Sequence, residues 1–208
     1  MYIIYQFGDN MDQRSKAFAY NRIKKPLFHY YGMLSNDSMK LLLSKFSEAT
    51  DTLTNAMQLR DAAGITDGYE EYIKNYRQFD IHIKDETSEF GDERDYSKFY
   101  AAFEPAMQEL TDTLQSILWR CRYATIEPND ILGWHVDQPT LDRFCVVLEG
   151  EQMFEIKDRK KIHSQRMLPG QIWFINSSWE HRVINSGNNK RLALLGCFEY
   201  NYSKEDNK

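Results

Sequence analysis

The sequence predicts an α+β fold in which a jelly-roll core of short strands carries helices from the N-terminal part on its outside. One observation is a change of pattern near residue 120, from apolar residues at three- and four-residue steps to alternation. Another is turn chemistry recurring at short intervals through the stretch that follows. A third is composition: 14% aromatic residues, with 13 Tyr, 12 Phe and 4 Trp, give a chain of 208 residues ample apolar area for a core. One domain is expected, residues 1–119 forming a helix-rich part with some strands and residues 120–202 the core.

Taken in order, Met1 to Phe7 are apolar but stop at Gly8-Asp9-Asn10 and lack a basic start, so they read as an edge strand rather than a signal-peptide core. Met39, Leu42, Leu43, Phe46, Ala49, Leu53 and Met57 then keep helical spacing behind Ser35-Asn36-Asp37, which can cap a helix start. Phe79, Ile81 and Ile83 alternate as in a strand. The acidic stretch from Asp85 to Asp95 reads as a loop, either a solvated connection or a lid suited to a basic substrate. Met107, Leu110, Leu114, Ile117 and Leu118 follow Pro105, a residue suited to a first helical turn. The stripe is helix core.

Eight strands are expected near 123–127, 132–137, 144–148, 153–157, 162–168, 171–175, 181–185 and 191–200. The separators are Pro128-Asn129-Asp130, Glu149-Gly150-Glu151, Asp158-Arg159-Lys160, Pro169-Gly170 and Ser186-Gly187-Asn188-Asn189. So many short strands in about 80 residues point to a jelly roll or barrel. The basic cluster Lys157 to Lys161 falls at a hairpin tip, and Ser203 to Lys208 form a polar tail.

Charged residues make up 27% of the chain, mean hydropathy is -0.65, and no run approaches the roughly 18 apolar residues of a spanning helix. Cys121, Cys145 and Cys197 are odd in number and far apart, which suggests neither a disulfide framework nor a zinc ribbon. A reducing, cytoplasmic setting is expected, with Cys145 and Cys197 as buried small hydrophobes. A net charge of -5 argues against nucleic acid as a partner.

The chemistry-bearing set is His135-Val136-Asp137, then His181, then Arg191 ten residues later. Two imidazoles and a carboxylate are the ligands that hold a non-haem Fe(II) on one face of an octahedron, leaving other positions open. In extended chain, residues two apart share a face, so His135 and Asp137 can aim at one point while Val136 turns away. In isolation a His-x-Asp on a strand is more often an ordinary surface pair than a metal site. His29, His82 and His163 are expected to be exposed or hydrogen-bonded side chains. Trp173 and Phe174 suit the core or a pocket wall, and Trp134 and Trp179, beside the two histidines, suit either the core or a substrate mouth.

His135-x-Asp137, Arg143-Phe144, Pro169-Gly170, Trp179-Glu180-His181-Arg182-Val183-Ile184-Asn185 and Arg191-Leu192-Ala193-Leu194 together resemble the Fe(II)/2-oxoglutarate-dependent dioxygenases, and within them the aspartyl/asparaginyl β-hydroxylase-like branch that includes free-proline hydroxylases. The resemblance covers roughly residues 120–200. It implies a double-stranded β-helix of cupin-like form, Fe(II) held by His135, Asp137 and His181, and O2 and 2-oxoglutarate as co-reactants. It also implies release of succinate and CO2 as a C–H bond of an amino acid, a protein side chain or another small metabolite is hydroxylated. Retention of Asp137 favours hydroxylation over halogenation, because related halogenases lack that carboxylate. Arg191 falls where the family places the arginine that anchors 2-oxoglutarate, a task suited to a planar guanidinium fork. Arg143 matches a second cosubstrate arginine, with Cys145 where some members carry a histidine. A cupin-like metal protein that makes no use of 2-oxoglutarate, as an isomerase or ligand-binding module, and a purely structural jelly roll are the alternatives.

Overall fold

A computed structural model describes residues 24–52, 60–61, 77–85, 87–137, 141–159 and 161–200. The expected strand at residues 1–7 and the polar tail lie outside them.

The eight expected strands form β6 (Trp119–Ile126), β7 (Asp130–His135), β8 (Asp142–Glu149), β9 (Gln152–Asp158), β10 (Lys161–Met167), β11 (Gln171–Ile175), β12 (Glu180–Asn185) and β13 (Arg191–Phe198). Five more come before: β1 (Phe28–Met33), β2 (Arg60–Asp61), β3 (Arg77–Asp80), β4 (His82–Ile83) and β5 (Lys98–Phe99). The larger sheet runs β1-β11-β8-β13-β6-β3-β2 and the smaller β10-β9-β12-β7, all antiparallel. From β6 to β9 each strand crosses to the opposite sheet, β9 and β10 form a hairpin, and β11 to β13 cross again. This is a double-stranded β-helix, as expected.

Strand alternation sorts the larger sheet into two faces. Ala124, Cys145, Val147, Ile175 and Ala193 face inward and pack with Leu132, Phe154, Ile156, Met167 and Val183 of the smaller sheet. Tyr123, Phe144, Val146, Ile172, Phe174, Leu192 and Leu194 face outward beneath the helices. Those are α1 (Asn36–Thr52) and α2 (Glu104–Leu114), on the outside of the core as predicted. Ser35 Oγ accepts from Ser38 N at 3.2 Å, and Glu109 of α2 accepts from Ser35 N and Ser35 Oγ at 2.6 Å and from Ser38 Oγ at 2.5 Å. The start of α1 is thus capped locally and by its neighbour. Leu42 is fully buried and its carbonyl accepts from the Tyr123 hydroxyl at 2.7 Å.

Two expectations need correction. Helix α2 stops at Leu114 because Gln115 adopts the left-handed conformation, so Ile117 leaves the helical stripe and is 61% exposed, while Leu118 reaches the core from irregular chain. The alternating segment breaks at Ile81, whose N–H donates to the Cys121 carbonyl, so that β3 joins the larger sheet and β4 pairs separately with β5. The side chains of Ala49 and Phe79 and the placement of Leu53 and Met57 fall outside the described structure.

Candidate metal centre

His135 ends β7, and His181 lies directly opposite it on β12. The next paired residue back along β7 is Leu132, opposite Val183, so three residues of one strand span two of the other. This bulge re-phases the strand. Simple alternation from the inward Leu132 would aim Trp134 into the core. Instead His135 turns toward His181, and Trp134 lies beside the guanidinium of Arg182 and the ammonium of Lys157, 4.7 and 5.8 Å from its ring centre. Asp137 lies beyond the strand, positioned by its N–H donating to the Ser177 carbonyl at 3.1 Å. Sequence spacing thus anticipated that His135 and Asp137 would meet. The agent is a backbone contact past the strand end, and Val136 turns outward, 43% exposed.

One ligand atom from each of His135, Asp137 and His181 lies within 4.8 Å of the others. The imidazole centres are 4.2 Å apart, and His181 stacks on Phe154 at 5.3 Å. His135 Nδ1 is 2.7 Å from the Gly133 carbonyl, and His181 Nδ1 is 2.9 Å from the Trp179 carbonyl. A carbonyl only accepts, so each Nδ1 carries the proton and each Nε2 keeps its lone pair for a cation. Burial, reinforced by neighbouring His135, lowers His181 to about 4 and keeps it neutral near pH 7. Desolvation raises the Asp137 carboxyl, but the electrostatic influence of His181 and His135, exerted in acid where the rings are protonated, and of the Arg143 guanidinium outweighs it and holds the group at about 2. Neutral imidazoles and an ionised carboxylate are the protonation states a divalent metal requires. The donor set therefore fits Fe(II) or a similar cation.

Both predicted arginines lie on the inner face of the larger sheet. Arg143 precedes Cys145 and Val147 on the inward register of β8, is buried, and has Nε 3.7 Å from Asp137 Oδ2 and Nη2 3.4 Å from Glu93 Oε1; its Nη1 contacts Cys197 Sγ. Arg191 shares the inward register of β13 with Ala193, is 1% exposed, and donates from Nη1 to the Ala124 carbonyl at 3.0 Å. Its charge is felt at Cys145 inside the barrel. Cys145 and Cys197 are buried free thiols, as expected.

Three neighbours of the site went unpredicted. Glu93 sits in a short helical turn, Glu93–Asp95, within the stretch read as a solvated loop or lid for a basic substrate; both acids are buried, and Glu93 meets Arg143 and Arg120. Charge beside Asp137 is thus largely cationic, and Glu93 and Asp95 are folded into the protein rather than solvated. Arg122 shares the inward register of β6 with Ala124 and Ile126, and Arg120 precedes it by two. Their signal was legible: two arginines alternate with Trp119, Cys121 and Tyr123 where a barrel strand should show apolar residues on both faces.

His82, buried against Tyr96, bonds through Nδ1 to the Cys121 carbonyl at 2.7 Å, the ordinary structural role expected of it. His29 packs against Tyr31 and Tyr200. Phe174 is core, and Trp173 packs partly against the barrel interior.

No protein-family model matches this sequence, and no curated protein matches it. Similar solved structures include oxalate decarboxylase from Bacillus subtilis (TM-score 0.38, 11% identity, covering 62% of this chain and 27% of that one). Others are vicilin from Corylus avellana (TM-score 0.38, 18% identity, 61% and 30%) and oxalate oxidase in complex with glycolate (TM-score 0.38, 15% identity, 62% and 53%). The chain spans 27% to 53% of their lengths. No helix among the described residues is long and apolar enough to cross a membrane.

Proposed function

We propose that this protein is a non-haem Fe(II)- and 2-oxoglutarate-dependent dioxygenase that hydroxylates a C–H bond of an amino acid, a protein side chain or a small metabolite. The observation that carries the reading is the pair of Nδ1 contacts to the Gly133 and Trp179 carbonyls, which leave the Nε2 atoms of His135 and His181 free to act with Asp137 as a facial ligand set. Bound there, Fe(II) would supply oxidative decarboxylation of 2-oxoglutarate to succinate and CO2 coupled to oxidation of the substrate.

The remaining tasks fall to this chain's own side chains. Arg191, enclosed in the barrel, is the candidate anchor for the distal carboxylate of 2-oxoglutarate, because a guanidinium fork can offer two parallel hydrogen bonds. Arg143 holds Asp137 in its ionised state and is the candidate second contact to the cosubstrate. Phe154, stacked on His181, shields that ligand from water and fixes its ring plane.

A second reading, a cupin-like metal protein that does not use 2-oxoglutarate, is favoured by one observation: Glu93 already engages Arg143. Conversion of 2-oxoglutarate to succinate, measured with and without Fe(II), separates the two. The dioxygenase reading predicts Fe(II)-dependent succinate that His135→Ala and Asp137→Ala abolish. Parent-level succinate in both variants, or none in an Fe(II)-loaded parent, would overturn it.

A further inference from the structure

The larger sheet ends in β1 and β2, the smaller in β10 and β7. An unpaired edge invites another strand, and proteins commonly blunt theirs by keeping them short or bulged. β2 has two residues, β1 is irregular between Tyr30 and Gly32, and β7 carries the bulge that aims His135. β10 has neither guard. It pairs with β9 without a break from Lys161 to Met167, and its other edge meets no strand among the described residues.

The register shows which backbone groups that edge offers. Two residues separate Asp158 from its partner Lys161, so this closing pair exchanges both of its hydrogen bonds. Alternation along the ladder then turns the N–H and C=O of Ile162, Ser164 and Arg166 away from β9. The Arg166 carbonyl accordingly accepts from Gln165 Nε2 at 2.8 Å.

Beside the edge lies an apolar floor. β11 follows β10 into the larger sheet, and β1 extends that sheet one strand further on the same side. Phe28 and Tyr30 share the inward register of β1, opposite Ile175 and Trp173. Phe28 meets Phe154 of β9 edge-on at 6.0 Å, but Tyr30, although inward in register, is 44% exposed because no described strand of the smaller sheet covers it. Its ring lies 5.1 Å from that of Trp173. Among the described residues, the smaller sheet thus has room for a fifth strand above Tyr30 and Trp173.

This groove leads to the metal centre. Phe154 also stacks on His181, and His163 of β10 shares a row with Ile156 of β9 and His181 of β12. At the same end the sequence between β9 and β10 places Arg159, Lys160 and Lys161 in succession beside a single acid, Asp158. In a chain of net charge -5 this is a local reversal of sign, and it suits an occupant that is acidic at the mouth.

We propose that the groove between β10 and Tyr30 binds an extended segment of a substrate protein. The segment adds to β10 as an antiparallel strand, lays apolar side chains on Tyr30 and Trp173, and brings acidic residues at its C-terminal end to Arg159 and Lys161. The inference deepens the proposed function by choosing a protein side chain as the group oxidised, and it rests on that reading for the chemistry but not for the binding.

The test pans a random dodecapeptide phage library on the full chain and measures the enriched peptides, synthesised with a fluorescent label, by anisotropy. Enriched sequences should alternate apolar residues and end in Asp or Glu. Ser164→Pro deletes an N–H that β9 does not use, a change an edge strand tolerates, and should weaken binding about tenfold while the melting temperature holds. Ser164→Ala removes only the hydroxyl bond to Glu155 and should bind like the parent. Lys161→Glu, the second variant, should weaken acidic peptides about tenfold and strengthen lysine-ended versions of them. No enrichment, the outcome if residues 1–23 of the chain itself fill the groove, overturns the proposal, as do enrichment of basic sequences and equal binding by Ser164→Pro. Peptide binding lost as dimers form in sedimentation also overturns it, giving the edge to a second copy. Peptide binding without Fe(II)-dependent succinate sinks the dioxygenase reading alone, and Fe(II)-dependent succinate without peptide binding sinks this inference alone.

Discussion

His135 and His181 face each other across the β7/β12 pair, with ring centres 4.2 Å apart and each Nδ1 turned to the carbonyl two residues before it in the chain. The bulge between Leu132 and His135 makes this possible, placing one imidazole opposite the other and turning Trp134 outward. Removal of either ring should therefore cost metal affinity, whereas removal of the adjacent indole should not. His135→Ala and His181→Ala are expected to weaken Mn(II) binding by more than about 100-fold, and Trp134→Ala by less than about threefold, in calorimetric titrations. Equal losses in all three would show that the bulge, not the ligand set, governs the site.

Arg191 is enclosed in the barrel, 1% exposed, and its value to a dicarboxylate lies in its fork. Arg191→Lys keeps charge but not geometry. It is expected to retain the thermal stabilisation given by Mn(II) and to lose most of the further stabilisation given by 2-oxoglutarate. A full 2-oxoglutarate shift in the variant would remove Arg191 from the binding site.

Glu109 ties α2 to the start of α1. Burial raises its carboxyl, but hydrogen bonds from Ser35 and Ser38 outweigh that and leave it lowered. A lowered carboxyl stabilises the fold above the unfolded carboxylate range and loses that contribution as pH falls through its folded value. Glu109→Ala should cost about 1 kcal/mol in urea unfolding at pH 7, with the gap from the parent narrowing as pH drops below about 4. A gap independent of pH would show that packing, not the charged cap, is what the variant loses.

Gly196 has no room for a side chain: a Cβ there would lie 2.4 and 2.6 Å from Phe144 ring carbons and 2.6 Å from Cys121 Sγ. Gly196→Ala should destabilise the larger sheet by about 1–3 kcal/mol, read as a lower denaturation midpoint. A midpoint equal to the parent's would mean that β13 can shift at its irregularity near Leu195 to Cys197.

The barrel was legible because period-two alternation and Pro-Gly or Asn-rich turns are local signals, and the eight core strands follow them closely. Helix α1 was legible for the same reason, through Leu42 and the cap at Ser35. What the pattern could not carry was phase. Nothing in Leu132-Gly133-Trp134-His135 states that the strand skips a residue, and nothing in the residues after Leu114 states that Gln115 will turn left-handed and release Ile117. Glu93 escaped for a different reason. An acidic run reads as solvated unless the cations that bury it are known, and these stand on β6 and β8, far along the chain.

The most direct test of the central claim is a crystal structure with Mn(II) and N-oxalylglycine, read by the anomalous signal of the metal. The expected result is one Mn(II) bonded to His135 Nε2, Asp137 and His181 Nε2, with the inhibitor on the metal and its far carboxylate on the Arg191 guanidinium. Metal absent from those three residues, or bound there with the inhibitor elsewhere, would contradict it.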